Sequence, residues 1–272
     1  MKNIIRADIY RIFRGKGIYI TIAVLIGIIV LQMAAGANIN AGIRHDDFEL
    51  IGEILDGNEE VIPEIVRPTG RDAPFMAMTN ADVLLFILLP LLIFISTADF
   101  SSLAVKNVLS SGISRCKYYT SKLTLSCIVC VILLFVYVSL SLFVGVIISG
   151  FDGAFNGEYI IGVAKVFFSQ LFIFLALICV GNFFVFLVRS NVVIGVYIAF
   201  VTAPSIILLL LSLVNEWFEN LVPYDLTLAL GKVVNIEMLT SGEVAEVLFI
   251  GAGYIIAAAI GGYYIFRKAE IK

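Results

Sequence analysis

From Leu123 to Phe151 the chain runs for twenty-nine residues without a charged side chain. An α-helix rises 1.5 Å per residue and a bilayer core is about 30 Å thick, so a stretch of this length is solvated by lipid rather than water. Five more charge-poor stretches follow the same rule: Gly17 to Gly36, a second ending at Asp99, Val166 to Val188, Ser190 to Asn215, and Val247 to Phe266. The second holds only sixteen residues between Asp82 and Asp99, so it is expected to begin near Met76 with Asp82 at the interface. Lipid cannot satisfy unpaired backbone groups, and the alternating pattern of a membrane barrel is absent, so each stretch is predicted to be a helix. The expected fold is therefore an all-α membrane protein with six transmembrane helices. With 61% apolar and 14% charged residues, against about half and a quarter in soluble domains, the composition excludes both an ordinary soluble enzyme and a disordered tail.

Orientation follows from the basic residues. Thirteen Lys and Arg fall on the side of the N-terminus and five on the other, while three acids fall on the first side and eighteen on the second. The basic side is cytoplasmic, with both termini inside. The first apolar run is about 20 residues, longer than the core of a cleaved leader, and is expected to be retained. Ahead of it, residues 1–16 place Ile5, Ile9, Ile12 and Phe13 at helical spacing, with Arg6, Asp8 and Arg11 turned elsewhere. That pattern predicts an amphipathic helix on the inner leaflet, its basic residues drawn to anionic lipid; a plain positively charged flank is the simpler alternative.

Two long segments face outward. Residues 37–82 carry ten acids, three prolines and a short apolar period through Phe48, Ile51, Ile54 and Leu55. Residues 216–246 begin with Trp217, Phe218, Leu221, Pro223 and Tyr224, which suits an interfacial or re-entrant turn. Inside, residues 99–122 form the one loop long enough to dock a partner. Leu103, Val108 and Leu109 suit an apolar patch on a short helix ending near Gly112, followed by Arg115, Lys117 and Lys122.

Much chemistry is missing from the pattern. No phosphate-cradling glycine loop occurs, so nucleotide hydrolysis would belong to another chain. His45 stands without a second histidine or cysteine near it, and no metal site is expected. Cys127 and Cys130 lie inside an apolar span, where small buried filler is the reading. The negative net charge of −3 predicts no nucleic-acid partner. Mid-span residues offer only Gln32, Gln170, Asn182 and scattered hydroxyls, whereas ion-coupled transporters keep ionisable groups there, so energy for uphill transport is expected from a separate subunit. Pro90 and Pro204 fall inside spans two and five as possible gate kinks, and Gly253, Ala257 and Gly261 suggest a small-residue packing face.

Taken in order, MKNIIRADIYRIFRGKGIYI at the start, KNVLSSGISRCKYYTSKL from Lys106 to Leu123, and YYIFRKAEIK at the end resemble the permease subunit of ABC-2-type exporters over nearly the whole chain. The first is similar to that family's elbow helix, and the second to its inner loop with a Lys, a Gly-x-x-Arg and a closing Lys, here Lys106, Gly112 with Arg115, and Lys122. Leu103 and Ala104 stand where family members often have Gly-Thr, and Asp99 where they have Glu. The resemblance implies a dimer with a second copy or a sister permease, seated on separate ATP-binding subunits that hold ATP and magnesium. It places their grip on residues 99–122, with Leu109 in the docking patch, and on the elbow residues Ile5, Arg6, Ile9, Arg11 and Phe13. A bacterial plasma-membrane exporter of amphipathic or antimicrobial peptides is implied; a lipid or hydrophobic-drug exporter, and an anchor or sensor that moves nothing, are the rival readings.

Overall fold

The computed structural model describes residues 2–35, 70–101, 104–150, 156–233 and 241–269. All regular structure among them is helical: α1 (Lys2–Arg14), α2 (Lys16–Ala35), α3 (Ala73–Thr79), α4 (Asp82–Ser101), α5 (Ala104–Ser110), α6 (Arg115–Ser149), α7 (Gly157–Val188), α8 (Val193–Ser212), a 3-10 helix (Glu216–Tyr224), α9 (Leu226–Lys232) and α10 (Ser241–Lys268). Five of these, α2, α6, α7, α8 and α10, are long and apolar enough to cross a membrane. The expected second span forms the 20-residue helix α4.

α7 is the central post. In its most apolar window 61% of residues are buried, against 39% or less in the other four spans, because its neighbours approach on several sides. The approach of α10 depends on missing side chains: a Cβ on Gly251 would lie 3.0 Å from the Phe172 ring, and one on Gly262 would lie 2.5 Å from the Tyr119 hydroxyl of α6. Together with Ala258, these define the face of α10 that packs inward. The face expected from the sequence is rotated away, for Gly253 and Ala257 are exposed and only Gly261 reaches a neighbour, Phe183. Four-residue spacing recurs around this glycine-rich helix in more than one register, and large partner rings select among the registers. Outward, Phe135, Phe143, Ile147, Phe168, Phe249 and Ile260 are all more than half exposed, as side chains solvated by lipid should be.

Two boundaries differ from expectation. The helix at the expected second span begins at Asp82 rather than near Met76, because Asn80 ends the preceding turn: both its backbone N–H and its side-chain amide donate to the Met76 carbonyl, at 3.1 and 3.0 Å. The fourth begins at Gly157, capped by the Asn156 side chain, which accepts from the Tyr159 N–H at 3.1 Å. α6 and α7, at 35 and 32 residues, are longer than a bilayer needs. At the end of α6 away from the termini the Gly70 N–H donates to the Gly150 carbonyl at 2.9 Å, and Gly150 turns the chain at φ +72°, left-handed backbone that favours glycine. His45 and the apolar period from Phe48 to Leu55 lie outside the described residues.

Candidate functional site

At the basic end, the start of α6 and the ends of α4, α7 and α10 converge with α1 and α5. Three Arg and one acid sit on α1 after its first residue, and among the described side chains the acid is the polar one turned inward. Asp8 is 3% exposed, with Ile12 beside it at 7%, and Ile5 is packed against the core. Arg6, Ile9 and Phe13 are exposed. The elbow is thus two-faced: Ile5, Asp8 and Ile12 seat it on the bundle, and Ile9 and Phe13 are left for lipid.

Asp8 meets Lys122, the last of the three basic residues on α6 and the one that is buried, at 2% exposed. The Lys122 ammonium lies 2.7 Å from Asp8 Oδ2 and 2.5 Å from Asp99 Oδ2. Arg11 donates to the other oxygen of Asp99 at 2.5 Å, and the Tyr118 hydroxyl donates to Asp99 Oδ2 at 2.8 Å. The hydrogen bond to Asp99 raises the Arg11 guanidinium above its already high range. Two carboxylates and two cations cancel, so charges that are costly to bury singly are buried as a neutral set with most donors used. The set ties α1 to α4 and α6.

The inner loop forms a short helix and a glycine stop, close to expectation. α5 ends at Ser110, and Gly112 takes φ +87° with open space around it. Ser114 then caps α6 by accepting from the Lys117 N–H at 3.3 Å. Arg115 donates to the carbonyls of Phe266, Arg267 and Ala269 at 3.1, 2.7 and 2.7 Å, satisfying orphan acceptors at the C-terminus of α10. Leu109 is half-buried on an aromatic cluster of Tyr118, Tyr119, Phe186 and Phe266 with Val105; Phe186 and Phe266 lie edge to face with centroids 4.9 Å apart. Of the residues expected to meet a partner, Lys106 and Gly112 are exposed, whereas Arg115 and Lys122 are engaged within the chain.

Toward the end of the bundle away from the termini, residues 216–232 pack back against α8. The 3-10 helix Glu216–Tyr224 lies over the end of α8, and α9 descends with Leu228, Ala229 and Leu230 buried. Asp225 caps α9: its Oδ1 accepts from the N–H groups of Thr227 and Leu228 at 2.9 and 3.0 Å and from the Ser205 hydroxyl of α8 at 2.9 Å. Thr227 donates to the Val201 carbonyl at 3.2 Å. These sutures close α8 where Pro204, inside the helix, withholds a donor. Pro90 likewise sits inside α4. Asp225 belongs to the segment read as an interfacial or re-entrant turn, and the fold sets its carboxylate against α8, beside Val201 and Ser205. Gln170 also uses the fold, donating to the Met78 carbonyl at 2.7 Å.

Among the described residues, no group of three His, Cys, Asp or Glu could hold a metal ion, and Cys127 and Cys130 are free thiols. No protein-family model matches the chain, and no curated protein matches it.

Proposed function

We propose that this chain is the membrane-spanning permease of an ATP-driven exporter, with α4 as a sixth span and both termini in the cytoplasm of a bacterial cell, and that it expels amphipathic or antimicrobial peptides. One observation carries the reading. At the basic end, the amphipathic α1 and the exposed short helix α5 are welded to four span ends, by the Asp8, Arg11, Asp99 and Lys122 set on one side and the aromatic cluster on the other. A push on α1 or α5 from a separate ATP-binding subunit therefore moves spans rather than a floppy loop. An anchor has no need of such a plate, and tethering needs one span. A second permease copy would complete a passage, with lipid around both.

The test is co-expression with the ATP-binding subunit encoded beside this chain. Lys106 is the exposed basic residue on α5, so Lys106→Glu is expected to cut copurification at least tenfold while leaving thermal unfolding unchanged. Cells with the intact pair should survive cationic peptides better than cells without it. Full copurification of the variant would remove α5 as the dock. Equal survival across a peptide panel, with protection against hydrophobic drugs, would move the cargo to the drug or lipid class.

A further inference from the structure

The re-entrant segment and α8 enclose a cavity of about 130 Å³ lined by Leu177, Phe200, Val201, Pro204, Asp225, Leu226, Thr227 and Tyr254. Its depth follows from the helix rise. Leu177, Ser205 and Tyr254 stand eleven, twelve and fourteen residues from the basic-end termini of α7, α8 and α10, about 16 to 21 Å along the axes. Counted from that end, this lies near or just past the midplane of a hydrocarbon core of about 30 Å. A carboxylate here is expensive unless something answers its charge, and intramembrane ionisable groups mark ligand or ion paths.

Among the described residues, donors from α8 and the start of α9 answer it but no cation does. The three hydrogen bonds to the Asp225 carboxylate fall on Oδ1, and no Lys or Arg pairs with it among the described residues. Among the described residues no donor reaches Oδ2, and Asp225 is partly exposed, so this oxygen is open to a ligand. Across the cavity, Pro204 removes the i+4 donor of the Phe200 carbonyl, a second acceptor in the same wall. The rings of Phe200 and Tyr254 add π faces that attract cations. Phe200 is 38% exposed, so the cavity opens sideways from α8 instead of being sealed. A bare metal ion would want six or more oxygen ligands, and the mostly apolar lining does not supply them. An organic cation wants what is present: one carboxylate oxygen, one carbonyl and aromatic walls. The volume equals about four water molecules, enough for a headgroup and its first methylenes.

We propose that the Asp225 cavity binds the ammonium or guanidinium headgroup of a cationic amphipathic molecule at mid-membrane. This rests on the exporter reading only in taking the occupant for cargo; binding itself requires no ATP-binding subunit, so its failure and the failure of export are separate results. The probe is octylguanidinium, with octylurea as its uncharged counterpart, titrated calorimetrically into the purified chain in nanodiscs of zwitterionic lipid, with empty nanodiscs as blank. Octylguanidinium is expected to bind saturably and at least tenfold tighter than octylurea. Asp225→Asn keeps a good helix cap and removes only the charge; the preference should fall below twofold. As a measurement on unaltered protein, octylguanidinium and not octylurea should shield Asp225 from a hydrophobic carbodiimide, read by mass spectrometry. Equal affinity for both probes, an undiminished preference in Asp225→Asn, or no shielding would overturn the proposal.

Discussion

Replacing Lys122 by Met is the sharpest probe of how the elbow is held. The ammonium sits 2.7 and 2.5 Å from two carboxylates whose side chains are 5% and 6% exposed. Without it, Asp8 and Asp99 share one cation, Arg11, which lies 2.5 Å from Asp99 but 3.9 Å from Asp8 and is half open to water. The cluster then carries one uncompensated buried negative charge. Removing one partner of a buried pair costs about 3–5 kcal/mol, a large share of a total stability of about 5–15 kcal/mol. The same account predicts rescue: Lys122→Met with Asp8→Asn restores neutrality, leaving Arg11 paired with Asp99, and should recover about 1.5–3 kcal/mol as a coupling energy. Equilibrium unfolding in mixed micelles measures both, followed by the fluorescence of Trp217, the chain's single tryptophan, which lies at the opposite end and so reports global unfolding. A single variant within about 1 kcal/mol of the parent, or a double variant no more stable than the single, would refute the reasoning.

Gly262→Val should destabilise by about 2 kcal/mol or more, since its Cβ would meet the buried Tyr119 ring, while Gly253→Val, with nothing within 4 Å, should change thermal unfolding little. Arg115→Ala uncovers three carbonyls at the end of α10; faster hydrogen exchange over residues 264–269 and a loss of about 1–3 kcal/mol are expected, with Arg115→Lys recovering only part because it lacks the planar fork. Asp225→Ala removes the cap of α9 and should cost about 1 kcal/mol, whereas Asp225→Asn should stay within a few tenths in the same unfolding assay.

The spans were legible because lipid imposes a simple rule on charge spacing, and five of them reappear as long apolar helices with a sixth segment as α4. The glycine stop at Gly112 was legible too, since only local backbone chemistry decides it. Pairing across the bundle was not. Basic residues on the inner side serve orientation, so nothing local separates Lys122, which is buried, from Lys106, which is exposed. The available signal was the acids: only three lie on the basic side, and Asp8 and Asp99 are two of them, both engaged with Lys122. Asp225 was hidden for a different reason. Hydropathy reads depth along one helix at a time, whereas a re-entrant turn acquires its depth from α8, through Ser205 and Val201.

The most direct measurement is uptake of a fluorescent cationic amphipathic peptide into inside-out vesicles containing this chain, alone or with its ATP-binding subunit. The account predicts accumulation only when both are present with ATP and magnesium, abolished by a non-hydrolysable analogue. Accumulation by the chain alone, driven by an ion gradient and indifferent to ATP, would contradict it.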